Sequence, residues 1–72
     1  VSPYVSHHLA GIFSLLGEKK EAHDWLENAV NQGFINYPLL AEKDIWLANI
    51  RGEERFKKLM ERVKYEWEHF EV

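Results

Sequence analysis

Two apolar stripes that meet at a glycine constrain this chain most. Leu9, Ile12, Phe13 and Leu16 recur at spacings of three and four, Gly17 interrupts them, and Ala22, Leu26, Ala29 and Val30 form a second stripe soon after. Such spacing places side chains on one face of an α-helix. So short a connection joins the two as an antiparallel hairpin. Ser2 suits the cap of the first helix, and Pro3 suits its first turn, where a missing N–H costs nothing. Glu18 and Glu21 suit the start of the second helix, where the dipole favours negative charge. Asn31-Gln32-Gly33 suits its end, with Gly33 free to adopt a left-handed turn.

The rest of the chain is helical but more broken. Asn36-Tyr37-Pro38 starts a short turn through Leu39, Leu40 and Ala41, and Asp44 caps another holding Ile45, Trp46, Leu47 and Ile50. After Arg51-Gly52, the residues Phe56, Leu59, Met60, Val63, Trp67 and Phe70 repeat at three and four. They predict a long final helix, with Glu53/Lys57, Glu54/Lys58, Arg62/Glu66 and Lys64/Glu68 as i,i+4 pairs on its wet face. No β-branched and polar alternation competes. The expected class is therefore all-α, one domain over 1–72: a hairpin in 1–33, then a capping segment in 34–72. Helices are expected at 2–16, 19–32 and 53–70, with turns near 37–41 and 45–50.

With 72 residues and no cysteine, a single apolar core has to hold the fold without disulfides or thiolate metal sites. The hydrophobic fraction of 46% is enough to build one. A net charge of −3, with Lys and Arg interleaved among acids, argues against nucleic acid as a partner. No apolar run reaches the roughly 20 residues that span a bilayer, and no signal-peptide pattern opens the chain. No membrane association and a cytoplasmic location are the resulting expectations. The missing initial Met suggests a piece of something longer.

The hairpin reads Leu9-Ala10-x-x-Phe13-x-x-x-Gly17-x-x-x-x-Ala22-x-x-x-Leu26-x-x-Ala29. Small residues at Ala10, Ala22 and Ala29 allow close helix approach, and Leu9, Phe13 and Leu26 fill the space between. This spacing resembles the tetratricopeptide repeat. Ser6 stands where that family often has Trp, Ala10 where it often has Gly, and Gly33-Phe34 where Pro usually closes the unit. The stretch Asp44-Ile45-Trp46-Leu47 through Ile50-Arg51-Gly52-Glu53-Glu54-Arg55-Phe56 is similar to the end of many bacterial tetratricopeptide arrays. There two Asp-Pro steps occur; here Ile45 and Glu54 replace the prolines. The resemblance implies a protein-interaction unit closing a larger array, binding a protein or peptide. In such proteins the array often accompanies a kinase, cyclase or transcription-regulator domain, so a regulatory segment is an alternative. A single hairpin cannot cover both of its faces. Trp46, Phe56, Met60 and Val63 are expected to cover the second helix at one end.

Residues for chemistry are scarce. His7 and His8 are adjacent and diverge by about 100° on a helix. His23 and His69 each lack a three-ligand set, and no H-E-x-x-H occurs. Ser14 lies mid-helix, away from any strained elbow. Gly11, Gly17, Gly33 and Gly52 form no phosphate loop. No catalytic residue, cofactor or metal is expected, and the chain is not expected to be an enzyme. The family resemblance implies a concave face on the first helix, with Tyr4, His7, Gly11 and Ser14 as its peptide-binding candidates. The positions that clamp a carboxylate in the chaperone-tail class carry His7 and Gly11, which lack the Lys and Asn donors. If Leu9 and Phe13 pack on Ala22, Leu26 and Ala29, then Val5, Ile12 and Leu16 stay uncovered as a self-association edge, making a second copy the other candidate partner.

Overall fold

The computed structural model describes residues 2–69. The chain is all-helical, with α1 at Pro3–Leu15, α2 at Lys19–Asn31 and α3 at Glu54–Glu68. Short turns at Leu39–Lys43 and Ile45–Leu47 separate α2 from α3. No strand occurs among the described residues. The expected helix limits hold to within a residue or two, and Phe70 lies outside the described residues.

Local chemistry explains the boundaries. The Ser2 hydroxyl accepts the Val5 N–H at 3.2 Å, and Pro3 occupies the first turn of α1. Gly17 (φ 77°) and Gly33 (φ 101°) end α1 and α2 in the left-handed region. After each, the chain closes the same pair of bonds. Glu18 N–H donates to Phe13 O at 2.9 Å and Gly17 N–H to Ser14 O at 3.1 Å; Phe34 N–H donates to Ala29 O and Gly33 N–H to Val30 O, both at 3.0 Å. That is the Schellman arrangement, which satisfies carbonyls a helix end leaves free. Asn36 and Asp44 cap the two short turns, accepting Leu39 N–H at 3.3 Å and Trp46 N–H at 2.9 Å. The Leu39–Lys43 turn is wide, closed by Asp44 N–H donating to Leu39 O at 2.8 Å. Arg51 Nη2 locks it by donating to the carbonyls of Leu40 (3.1 Å) and Asp44 (2.8 Å).

The hairpin packs on a different face of α1 from the one its large apolar residues suggest. Ser6, Ala10, Gly11 and Ser14 are buried, whereas Leu9, Ile12 and Phe13 are only partly covered. Against them α2 presents Ala22, Leu26, Ala29 and Val30, and Ser6 Oγ donates to Asn28 Oδ1 at 2.8 Å. Small residues win because they bring the helix backbones closest and so maximise contact. Phe13 packs at the margin of the core.

Beyond α2 the chain returns over both helices. The Ile45–Leu47 turn sits on α1 and α3 sits on α2. Phe56, Leu59, Met60 and Val63 of α3 join Leu26, Val30, Leu40, Leu47 and Ile50 in one core. Trp46 departs from expectation: it is 39% exposed and lies on α1 beside His8 and Gly11, so it does not cover α2. Of the expected i,i+4 pairs, Arg62–Glu66 closes at 3.7 Å. Lys57 turns instead to Glu54 at 3.8 Å, and Glu53 to Lys19 on α2 at 3.6 Å.

Candidate functional site

At about 100° per residue, the buried side of α1 spans Phe13, Ser6, Ala10, Ser14 and Gly11. The remaining arc of roughly 120° carries Tyr4, Val5, His8, Ile12, Leu15 and Leu16. Tyr4 is 75% exposed, Leu16 67%, Leu15 54% and Val5 49%. His8 is also exposed, and Ile12 is partly covered. No Asp, Glu, Lys or Arg occurs before Glu18, so nothing on this helix opposes desolvation through charge. Apart from His7, His8 and the Tyr4 hydroxyl, α1 is apolar or small on every side, and a helix of that kind is one built for burial on more than one side. The Trp46 ring, 5.4 Å from the His8 ring, extends the patch along one edge. By contrast, the open faces of α2 and α3 carry Lys20, Asp24, Lys57, Lys58, Glu61 and Lys64.

The expected self-association residues Val5, Ile12 and Leu16 all fall within this arc. Leu15, which the helical spacing sets on the flank of the same stripe, lies in it too; sequence reasoning missed that Tyr4 and His8 belong to it. The uncharged opening seventeen residues were the signal that marks them, because a helix with one wet face carries charges there.

The four expected peptide-binding residues do not form one open face. Gly11 is buried under Trp46, and Ser14 is fully buried with no partner for its hydroxyl. The chain after α2 crosses the ground that a single hairpin would have left open. Tyr4 and His7 instead line an open cleft of about 560 Å³ with Phe34, Ile35, Leu39 and Trp67. His7 is fixed there: Nε2 donates to Asp44 Oδ2 at 2.6 Å, and its ring stacks on Phe34 at 4.6 Å. The Tyr4 ring meets Phe34 edge-on at 6.0 Å.

A third cluster joins α2 to the start of α3. Arg55 Nη2 donates to Asp24 Oδ1 at 2.6 Å and Arg55 Nε to Glu27 Oε2 at 2.7 Å, while Lys20 reaches Asp24 at 3.0 Å. The hydrogen bonds that Arg55 donates to Glu27 and Asp24 hold its guanidinium above its ordinary range, and those that Asp24 accepts from Arg55 and Lys20 hold its carboxyl below its own. His23 lies beneath this cluster, 4% exposed. Its burial, and then the nearby Arg55 charge, push its imidazole below the usual histidine value.

Among the described residues no three His, Asp or Glu side chains converge as a metal site would require. No helix among them is long and apolar enough to cross a membrane. Compared with protein-family models, curated proteins and solved structures, the chain finds no match.

Proposed function

We propose that this chain is a protein-interaction unit of the tetratricopeptide kind, terminating a helical array, and that the outer arc of α1 is its docking face. The uncharged arc of Tyr4, Val5, His8, Ile12, Leu15 and Leu16 carries the reading. Contiguous exposed apolar surface on a small protein marks a contact site. Its occupant is another helical hairpin: a ridge of Val5, Ile12 and Leu16 fits the groove of a helix, as small and large residues fit within the hairpin itself. The other end is closed by α3, whose outer face is charged. That asymmetry, one wet end and one dry, is how a terminal unit of a stacked array is built.

With its arc uncovered, the chain associates with itself in a concentration-dependent way. Sedimentation velocity across the micromolar range, on the parent and on Val5→Glu and Ile12→Glu, tests this. Association by the parent that both variants lose supports the reading. A parent that stays monomeric throughout removes its main support. Val5→Glu places an acid near a helix N-terminus, where it is tolerated, so it guards against Ile12→Glu simply unfolding the chain.

A further inference from the structure

We propose that His23 is an acid-operated release for α3: protonating its ring loosens α3 from α2 and uncovers the apolar face that α3 buries. The geometry begins with burial. His23 sits on α2 between Ala22 and Leu26, with 4% of its surface exposed, and neither ring nitrogen has a hydrogen-bond partner. A neutral imidazole is tolerated in such a place at modest cost. An imidazolium needs acceptors for two N–H groups; neither ring nitrogen has one, and the carboxylates nearby, Asp24, Glu27 and Glu53, face other cations.

The surrounding charges are already matched. From α2, Asp24 and Glu27 both face Arg55, at 2.6 and 2.7 Å, and Lys20 also holds Asp24. From the start of α3 come Arg55 itself and Glu53, the latter paired with Lys19 at 3.6 Å. A proton on His23 therefore adds a second cation near Arg55, within a cluster whose carboxylates are taken. These same ion pairs span α2 and the first turn of α3, so the strain falls on the junction that fastens α3. Parting the two helices hydrates His23 and frees Asp24 or Glu27 to meet it. Phe56, Leu59, Met60 and Val63, buried in the closed form, then become accessible.

The sign follows from linkage. Folding lowers the proton affinity of His23, so the closed form keeps its full stability above the unfolded-state value of about 6.5 and loses it as pH falls below that value. In that window the opening equilibrium rises by up to about tenfold per pH unit, because the open form binds one more proton. The Asp24 carboxyl, held below its ordinary value by Arg55 and Lys20, stays ionised across that window, and the His23→Gln comparison separates His23 from the other histidines.

Amide hydrogen exchange, corrected for intrinsic rates, measures the opening constants of α3 and of the α1–α2 hairpin at pH 7.5 and pH 5.5. For the parent, opening of α3 is expected to increase several-fold while the hairpin amides change less. In His23→Gln, which stays uncharged throughout, the α3 increase is expected to vanish whatever the variant's absolute stability. An equal increase in the variant, or none in the parent, overturns the proposal. Equal loosening of hairpin and α3 also overturns it, since that is global unfolding and not release of one helix. Should His23→Gln fail to fold, NMR titration of the His23 ring in the parent decides: a midpoint below that of a free imidazole supports the release, and one at or above it contradicts it.

Discussion

The ring of Trp46 fills the space that a side chain at Gly11 would need. A Cβ at Gly11 would lie 2.8 Å from Trp46 Cε3 and 3.2 Å from Trp46 Cβ, so the 45–47 turn rests on bare α1 backbone. Gly11→Ala should gain about 1 kcal/mol from helix propensity. Displacing the Trp46 ring should cost about 1–3 kcal/mol, giving a net loss in most of that range. With Trp25→Phe and Trp67→Phe leaving Trp46 as the sole indole, its emission should move to longer wavelength in Gly11→Ala. A variant that is more stable, with unchanged emission, would show that the turn does not rest there.

Two buried serines of α1 should respond in opposite directions. Ser6 Oγ donates to Asn28 Oδ1 at 2.8 Å, whereas the fully buried Ser14 Oγ has no partner. Ser6→Ala should lose about 0.5–1.5 kcal/mol. Ser14→Ala should be neutral or stabilising, because it removes a polar atom buried without compensation. Urea titration of both variants tests the pair, and equal losses would mean that the face of α1 packed on α2 is misplaced.

These serines also show where sequence reading succeeds and where it stops. Caps and glycine turns act within five residues, so Ser2, Gly17 and Gly33 betrayed the helix limits without any tertiary knowledge. The buried face of α1 was a different matter. Periodicity identifies the inside of a helix by contrast with a charged outside, and α1 has no charged outside. Large Leu9 and Phe13 then looked like the residues that fill the hairpin core, while small Ser6 and Ser14, together with the expected Ala10, took that role by allowing closer approach. Trp46 lies in a three-residue turn too short to have a period, and His7 meets Asp44 across thirty-seven positions. Neither contact leaves a local signal. The α3 face was legible as far as Val63, because Phe56, Leu59, Met60 and Val63 stand opposite Lys57, Lys58, Glu61 and Lys64; Trp67, next in the expected stripe, is 45% exposed.

Phe56 is 2% exposed in the core that joins α3 to α2. Phe56→Ala should cost about 3–5 kcal/mol. A domain this small has little more than that to lose. The variant is expected to show a collapsed thermal transition by circular dichroism. A melting temperature within a few degrees of the parent would mean that α3 is not docked through this ring.

Arg55 offers a milder test of the same junction. Its side chain remains 39% exposed, so its pairs with Asp24 and Glu27 are screened by water. Arg55→Ala should lose about 0.5–1 kcal/mol, most of it at low salt. In 1 M salt, where charges are screened beyond about 3 Å, the difference from the parent should shrink. A loss that stays the same across salt would assign the role of Arg55 to packing of its stem.

The docking face of α1 is tested most directly by cross-linking, which the absence of cysteine makes clean. Single variants Ile12→Cys and Leu15→Cys place a thiol on the uncharged arc, and Lys58→Cys places one on the charged face of α3. Each is held with a short thiol-to-thiol cross-linker at a series of concentrations. The arc variants are expected to give covalent dimers in high yield and at lower concentration than Lys58→Cys. Equal yields from all three positions would contradict the assignment of the α1 arc as the surface this protein uses to meet another.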